Sequence, residues 1–439
     1  MGYRRKAIPA LLATIWALPA SADDSSALKE VPATRSRSIE FEAEPPQAQA
    51  REIEATEGPE FDASLTAVVQ RVDADGAADG KASSRGTSRG DVSLSLPAGS
   101  AGKADGKIFA HLRFGDGRGV QLRPTYTGAV NSTAFRVDGA TDADPFAVLA
   151  QAWYQLAVPL PRGAEADAGQ RLEVTAGKID PFVFFDQNEI ADDESVRFLN
   201  NVFVHNPLLD SGSDTGADAH GFAPGAIVHY GNTSRPGAEW GISLGAFGSG
   251  PGADFHGSLA GPFVIAQVER SARVGSLPGH YRAYAWSNGH ASDYDGSTRH
   301  HAGVGASIDQ QVADGLTMFC RYGQQTSGKV RFDRALTAGF ELAGSAWARA
   351  DDGIGFAAAW LRTSDDFRRD APSIDADGDG APDFGYPASG AERNFELYYR
   401  FKLNKAVDLT PDLQWIQRPG GDAGASVATL VGLRVRVGI

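Results

Sequence analysis

The sequence alternates between apolar and polar residues over long stretches, and this period of two limits the folds that the chain can adopt. In ERNFELYYRFKL, the side chains of Phe395, Leu397 and Phe401 fall on one face of an extended chain. Glu396 and Arg400 fall on the other face. This pattern is typical of β-strands whose two faces meet different environments. The sequence therefore predicts an all-β protein.

Similar segments recur from about residue 61 to the end of the chain, separated by clusters of Gly, Asp, Ser and Pro. The 52 glycines and two methionines suit a protein rich in turns and strands better than a helical bundle. We expect about sixteen strands, at residues 61–72, 89–96, 107–114, 146–158, 171–178, 225–230, 239–247, 262–270, 279–287, 300–312, 315–325, 332–343, 353–361, 392–403, 407–417 and 426–439.

Two architectures accommodate such strands: a soluble sandwich, and a membrane barrel that turns its apolar face to lipid. The barrel is favoured because many segments approach the length that crosses a bilayer at a tilt. Their polar faces also carry charges of both signs, which a water-filled interior tolerates. Aromatic residues recur near strand ends, where an interfacial girdle would lie: Trp240, Trp286, Trp360, Tyr399 and Trp415. We predict a transmembrane antiparallel up-and-down β-barrel.

The N-terminal residues indicate export. MGYRRK carries three cations, AIPALLATIWALPA is a short apolar run, and Ala20-Ser21-Ala22 fits the small-residue rule for cleavage. We expect a signal peptide over residues 1–22; an uncleaved anchor is the alternative. Residues 23–60 have no sustained apolar period and predict a disordered tail, with a short helix near 47–55. The barrel is then expected over residues 61–439.

The last strand, LVGLRVRVGI, predicts how the barrel closes. Val431 and Leu433 would face lipid, while Arg434 and Arg436 would face the lumen. A barrel has no free edge, so this strand is expected to pair with the first.

Charge and cysteine content exclude some functions. The formal net charge of −14 argues against nucleic-acid binding, which requires a basic face. The single cysteine, Cys320, allows no intrachain disulfide and is interpreted as a small buried or lipid-facing side chain. The sequence has no nucleotide-binding loop, zinc-binding spacing or convincing nucleophile motif, so we expect no enzyme.

Two stretches resemble a known family. GKIDPFVFFDQNEIADDESVRFLNN, at residues 177–201, resembles the motif region of the carbohydrate-selective, OprB-like porins of Gram-negative outer membranes. FELYYRFKL, DLTPDLQWIQRPGG and LVGLRV resemble the closing strands of that family, and the similarity runs from about residue 146 onward. The chain departs from the family's pattern at its final Ile439 and at Pro181-Phe182.

The resemblance implies a sixteen-stranded barrel that passes sugars passively down their gradient. It also implies export through the periplasm, insertion by the barrel-assembly machinery and residence among outer-membrane lipids. An apolar exterior suits lipid and a second copy of the chain equally, so monomer and homo-oligomer both stay open.

Residues 179–224 form the longest span without a clear strand, and long loops of this kind are often functional. An inward fold that narrows the pore is favoured over packing on the extracellular rim. ESVRFLNNVF is a candidate short helix, with Asp192 or Asp193 as its cap.

Selecting a sugar requires aromatic faces for stacking and charged or amide groups for its hydroxyls. Strand parity supplies candidate wall residues: Arg113, Glu173, Arg321, Glu396, Tyr398, Arg400, Gln414, Arg434 and Arg436. The long loop supplies further pore-lining candidates: Phe184, Phe185, Asp186, Asn188, Glu194 and Arg197.

DADGDGAPD, at residues 375–383, partly matches a calcium-binding loop. Its carboxylates occupy positions 1, 3, 5 and 9 of that loop, at Asp375, Asp377, Asp379 and Asp383. Position 12 is Tyr386 instead of a bidentate Glu. A weak calcium site and a plain acidic turn both fit, and no other cofactor is expected.

The leading functional hypothesis is a passive outer-membrane channel for small sugars. The first alternative is a non-conducting outer-membrane β-barrel that acts as a binding or structural protein. A barrel hydrolase in the same membrane is a third interpretation.

Overall fold

The computed structural model describes residues 58–122, 129–134, 145–160, 169–209, 220–250 and 258–439. The predicted signal peptide, the predicted helix near 47–55 and nearly all of the predicted tail lie outside these residues.

Sixteen strands form one closed antiparallel barrel in which every strand pairs with its neighbours in the sequence. Period-two segments of the sequence become these strands, so the predicted fold class is confirmed. The strands are β1 (Glu60–Val72), β2 (Ser83–Ala101), β3 (Ala104–Asp116), β4 (Phe146–Pro159), β5 (Gln170–Ile179), β6 (Ala223–Asn232), β7 (Trp240–Phe247), β8 (Phe263–Val274), β9 (Leu277–Ser292), β10 (Thr298–Ala313), β11 (Leu316–Ser327), β12 (Phe332–Ala343), β13 (Gly353–Thr363), β14 (Ala391–Lys402), β15 (Val407–Gln417) and β16 (Ala428–Gly438).

The last strand closes the barrel against the first. Pairing of β1 with β16 runs from Ser64 opposite Gly438 to Val72 opposite Leu430. The backbone N–H of Ile439 continues the pairing by donating to the carbonyl oxygen of Ala63 at 3.0 Å. Closure satisfies the backbone groups that an open edge would leave unpaired in lipid.

The two faces of the strands differ as the sequence predicted, except that Trp286, expected in the interfacial girdle, is buried on the inward face of β9. On β16, Val431 and Leu433 keep 56% and 42% of their surface exposed on the outside of the barrel, whereas inward-facing Arg434 keeps 2%. On β3, Leu112 is 53% exposed and the adjacent His111 is buried. The exterior is therefore an apolar band, and the ionic side chains point inward.

The two ends of the barrel differ in the length of their connections. Residues 275–276 and 314–315 connect strands by tight turns at the end where β1 begins and β16 finishes. Long segments such as 180–222 and 364–390 connect strands at the opposite end. Short turns at one end and longer loops at the other are typical of outer-membrane barrels, in which the long-loop end is extracellular.

Helix is confined to short pieces of the loops, and no helix among the described residues has the length and apolarity to cross a bilayer. The α-helices are α1 (Asn201–Val204) and α2 (Asp365–Asp370). The 3₁₀ turns are Ser132–Ala134, Pro181–Val183, Ser258–Ala260, Gly344–Trp347 and Pro419–Gly421.

The predicted helix in ESVRFLNNVF is shorter than expected, and its cap was wrongly assigned. Helix α1 begins only at Asn201, and the side chain of Asn200 caps it by accepting from the Val202 N–H. Asp193 instead accepts from the N–H and hydroxyl of Ser195 and closes a separate turn. The local turn competes with helix because Asp and Ser bond their own backbone.

A charge should be tolerated on one face of the barrel wall and not on the other. We expect Leu112→Arg, which places a guanidinium on the lipid face in mid-strand, to lower the free energy of unfolding by about 2–4 kcal/mol. The matched control is Ser93→Arg, because Ser93 faces inward opposite His111 on the adjacent strand. Urea unfolding of protein folded into lipid vesicles measures both variants. An equal or larger loss in the Ser93 variant would contradict this assignment of faces.

Candidate functional site

The connection between β5 and β6 folds into the barrel. We call the described part of it, residues 180–209, the inner loop. Many of its residues are almost completely buried, among them Phe185, Asp186 and Asn200. Its hydrogen bonds and ion pairs reach inward-facing side chains of strands from β2 to β16. The inner loop therefore lies within the barrel and not on its rim.

Asp186 is the first anchor of the inner loop. One carboxylate oxygen accepts hydrogen bonds from the Tyr284 hydroxyl at 2.6 Å and from Nε of Arg321 at 3.1 Å. The other oxygen accepts from the backbone N–H of Asn206 at 2.6 Å. The backbone N–H of Asp186 donates to Gln267 at 2.9 Å. This buried charge is thus paired and hydrogen-bonded, as stable burial requires.

Glu396 is the second anchor, and it binds the backbone of the inner loop. Its two carboxylate oxygens accept from the backbone N–H groups of Leu199 and Asn200. The side chain of Asn200 donates to Oε1 of Gln414 at 3.1 Å. Gln414 in turn donates to the carbonyl oxygen of Val130 at 3.0 Å. The segment 129–134 is therefore held beside the inner loop.

Arg434 is the third anchor and binds three backbone carbonyl groups of the inner loop. Its guanidinium donates to the carbonyl oxygens of Glu194 at 2.9 Å, Val196 at 2.6 Å and Arg197 at 2.7 Å. Arginine suits this task because its planar head carries five donors. The predicted lumenal arginine of the closing strand thus fixes the inner loop.

The aromatic residues of the inner loop pack against the wall. Phe184 contacts Trp153 edge-on with ring centroids 5.9 Å apart, and Phe185 contacts Phe247 edge-on at 6.1 Å. Phe198 meets Tyr398 at 5.0 Å. All of these rings are buried, so they stabilise the loop through apolar contact.

The side chains at the edge of the inner loop form ion pairs around the lumen. On β2 and β3, Asp91 accepts from Nε of Arg113 at 2.7 Å and lies 2.9 Å from Nε2 of His111. Arg89 bridges Asp91 and Glu194 of the inner loop. These contacts supply hydrogen-bond donors and acceptors side by side.

A second group lies across the barrel at Glu341. Its carboxylate accepts from the Tyr398 hydroxyl and lies 3.3 Å from Nε of Arg197 and 3.5 Å from the guanidinium of Arg400. Within the described residues, Nε of Arg197 and Nε of Arg400 are buried and lack a hydrogen-bond partner. The Arg197 and Arg400 side chains keep 10% and 17% of their surface exposed, so a ligand hydroxyl can approach these side chains but not their buried Nε atoms.

Two more groups complete the ionic wall. Asp309 lies 2.6 Å from Nδ1 of His280 and 2.9 Å from the guanidinium of Arg282. Asp408 lies 3.1 Å from Lys402 and 4.0 Å from Arg436. Glu173, the remaining predicted wall residue, has a carboxylate oxygen 3.3 Å from Nε of Arg171 on the same strand, β5.

An aromatic pair on the inward face was missed by the sequence analysis. The ring of half-buried Phe109 on β3 stacks on Trp153 of β4 with centroids 4.8 Å apart and planes at 24°. The alternation of Phe109 with inward-facing Lys107 and His111 was the signal that could have found it. The acids Asp91 and Asp309 were also missed, although they lie on the polar faces of DVSLSL in β2 and ASID in β10, so the same alternation could have found them.

The predicted site residues thus fall into two groups. One group holds the inner loop against the wall and is buried: Phe184, Phe185, Asp186, Asn188, Arg321, Glu396, Tyr398, Gln414 and Arg434. The other group belongs to ion pairs that keep some exposure: Arg113, Glu173, Glu194, Arg197, Arg400 and Arg436.

The acidic loop at 375–383 lies in the long connection between β13 and β14. Carboxylate oxygens of Asp375, Asp377 and Asp383 lie within 4.8 Å of one another, and Asp379 is not part of that group. The side chains also accept backbone N–H groups of the same loop. Tyr386, at position 12, is buried and donates to the Gly420 carbonyl. Calcium binding stays a prediction.

Comparison with known proteins shows which family the chain resembles. The family described as "Carbohydrate-selective porin, OprB family" matches residues 117–438. Porin B of Pseudomonas aeruginosa is 24% identical over 235 residues, which cover 45% of this chain and 52% of that protein. The match thus spans about half the length of that curated relative.

Two solved structures share the fold. The high-pH structure of OprB from Pseudomonas putida superposes with a TM-score of 0.70 at 20% identity, and the alignment covers 87% of this chain and 94% of that one. An anion-selective porin from Comamonas acidovorans superposes with a TM-score of 0.51 at 12% identity, covering 87% and 99%.

The closed barrel with an inward loop is the architecture of an outer-membrane porin. The chain belongs to the carbohydrate-selective, OprB family of porins, whose profile covers most of its length. Its barrel therefore lies in the outer membrane of a Gram-negative cell, as the sequence predicted.

Loss of one anchor should release the inner loop. We expect Arg321→Met to lower the free energy of unfolding by about 3 kcal/mol or more, because it leaves the buried Asp186 carboxylate without its cation. Limited proteolysis of folded protein should then cut within residues 180–209. The control is Arg369→Met, which breaks a solvent-exposed pair with Asp366 that contributes little to stability. Cleavage and stability like those of the unmodified protein would contradict the anchoring role.

Asp192 of the inner loop should make stability depend on pH. Burial raises the pKa of its carboxyl to about 7, although His205 at 3.6 Å and Arg321 at 3.9 Å oppose the shift. The folded protein therefore binds a proton that the unfolded chain releases near pH 4. The free energy of folding that this carboxyl contributes is therefore fully present below about pH 4, and it is lost as the pH rises to about 7.

We expect Asp192→Asn to gain at least about 1 kcal/mol relative to the unmodified protein between pH 5 and pH 8. Urea unfolding at each pH measures the difference, with the exposed loop variant Asp79→Asn as the control. A difference that stays constant over this range would show that Asp192 is not the titrating group.

Proposed function

We propose that this protein is a passive outer-membrane channel for small sugars. Membership of the carbohydrate-selective, OprB family supports the class, and the structure of OprB from Pseudomonas putida shares its fold. The observation that carries the proposal is the set of arginine–carboxylate pairs at the edge of the inner loop. They surround a lumen that the inner loop narrows.

Paired charges suit a neutral, hydroxylated solute. A guanidinium donates to a hydroxyl oxygen and a carboxylate accepts from a hydroxyl proton, so each pair can bind both ends of a hydroxyl group. Because the pairs at Asp91, Glu341 and Asp309 balance opposite charges locally, they exert less net attraction on an ion than isolated charges would. A sugar can thus exchange water for side chains and continue down its gradient.

The stacked pair of Phe109 and Trp153 adds an apolar surface to this path. The C–H face of a pyranose is apolar, and aromatic rings bind such faces. Phe109 is half-buried, Trp153 supports it from one side, and Arg113 is four residues further along the same inward face of β3. We infer that the sugar ring slides over Phe109 while its hydroxyls contact the charged pairs.

Planar-bilayer recording tests the function directly. Purified protein should conduct, and a sugar added on one side should reduce the ion current in a dose-dependent manner. Conductance with no effect of any sugar would indicate a general porin. Absence of conductance by folded protein would favour the alternative of a non-conducting binding or structural barrel. The observation behind this alternative is that the inner loop and residues 129–134 occupy part of the lumen.

The aromatic surface can be tested with two phenylalanines of the same strand. We expect Phe109→Ala to weaken sugar block about fivefold, the effect of losing about 1 kcal/mol of ring contact. Phe114→Ala is the matched control, because Phe114 is 44% exposed on the outside of the barrel. Sugar concentration at half-maximal block is the measurement. Equal values for both variants would remove Phe109 from the sugar path.

A further inference from the structure

Three arginines project outward from adjacent strands at the long-loop end of the barrel. Arg334 on β12 stands directly opposite Arg362 on β13, and Arg393 on β14 stands opposite Trp360 of β13. Arg334 and Arg393 are exposed, and Arg362 is half-buried. Neighbouring strands lie about 4.8 Å apart, so the three guanidinium groups share one patch of the outer surface.

The patch lies directly above the apolar band. Tyr322, Leu336 and Trp360 are 38%, 42% and 37% exposed on the outside of the same strands. Arg334 is the next outward residue from Leu336 toward the long-loop end of β12, and Arg362 is the next outward residue from Trp360 toward the same end of β13. Exposed aromatic residues mark the depth of the membrane interface. The arginines therefore lie at the depth of the lipid headgroups in the outer leaflet.

The charges of this patch are only partly balanced by the protein. Arg362 is paired with Asp333 at 2.8 Å and with Asp365 at 2.9 Å. By contrast, Arg334 and Arg393 donate no hydrogen bond to any side chain or backbone group of the described residues. Like charges directly opposite each other on adjacent strands repel. The Asp333 carboxylate interacts with Arg334 as well as with Arg362 and offsets part of that cost, and an anion beside Arg334 and Arg393 would offset the rest.

Two glutamines flank the cations and extend the polar surface. Gln324 on β11 stands opposite Arg334, and Gln417 on β15 stands opposite Arg393. The Tyr322 hydroxyl donates to the side-chain oxygen of Gln324 at 2.9 Å, which leaves the amide N–H₂ of that glutamine available outward. The row thus presents donors above an apolar and aromatic surface.

We propose that this row is a docking surface for a phosphorylated glycolipid of the outer leaflet. Arg334 and Arg393 bind its phosphate groups through charge-assisted hydrogen bonds, which guanidinium forms in bidentate geometry. Its acyl chains cover Leu336 and the ring of Trp360. A free phosphate ion would contact the arginines alone. Because an exposed apolar surface adjoins them, a ligand with both a phosphate group and acyl chains fits better, and we therefore assign the site to a membrane lipid.

The test measures binding of bisphosphorylated lipid A to the full-length protein in detergent, for example by native mass spectrometry. We expect the unmodified protein to retain the lipid and Arg334→Gln/Arg393→Gln to bind it about tenfold or more weakly. The control is Arg270→Gln/Arg273→Gln at the short-turn end, where Arg270 stands opposite Trp240 on the outer surface and exposed Arg273 donates to the Ser276 carbonyl. Heat-modifiable mobility on gels confirms that each variant is folded, and the conductance of the test variant should be unchanged because its substitutions lie outside the lumen.

Each result decides the assignment. Weaker binding in the Arg334/Arg393 variant alone, together with weak binding of dephosphorylated lipid A to the unmodified protein, supports it. Equal binding of both forms of lipid A would show that the phosphates are not recognised. Equal loss in both double variants would show non-specific attraction to cations. Displacement of lipid A by millimolar inorganic phosphate would assign the patch to free anions. Any of these last three results overturns the proposal.

Discussion

The requirement that every backbone polar group in hydrocarbon be hydrogen-bonded governs this structure. A strand in lipid cannot leave an edge unpaired, so the sixteen strands must close, and β16 pairs with β1 along its length. Closure then divides every strand into a lipid face and a lumen face. The apolar exterior and the ionic interior both follow from that division.

The interior accepts charge only where the charges are paired or wet. The inner loop uses this condition, since Asp186, Glu396 and Arg434 bind its backbone and side chains from different sides of the wall. Such anchors are well suited to a loop inside a pore, because a buried charge left unpaired costs several kcal/mol. The remaining pairs at the edge of the loop keep some contact with water and form the candidate path for sugars.

The fold could be read from the sequence because a period of two is a local signal. The faces of β16 and β14 follow directly from the order of their residues, and all sixteen strands were located. The role of each inward residue could not be read in the same way. Parity places Arg434 and Arg113 alike in the lumen, yet one binds the inner loop and the other pairs with Asp91.

Whether an inward residue binds the inner loop or pairs with another wall residue depends on the path of the inner loop. That path depends on contacts between residues far apart in the chain. Glu396 meets Leu199 across nearly two hundred positions, and no short motif encodes that contact. The start of the helix in the loop has a local cause instead, since it begins at Asn201 because Asp193 is engaged in its own turn with Ser195. Local patterns thus predict the wall, while the site within it depends on tertiary packing.

The central claim is that a sugar crosses the membrane through this lumen, past the inner loop. Swelling of proteoliposomes in an iso-osmotic solution of glucose tests it most directly. The account predicts that vesicles containing folded protein swell faster than protein-free vesicles, and that the rate falls as larger sugars replace glucose. Swelling no faster than in protein-free vesicles, with the protein shown to be folded and inserted, would contradict it.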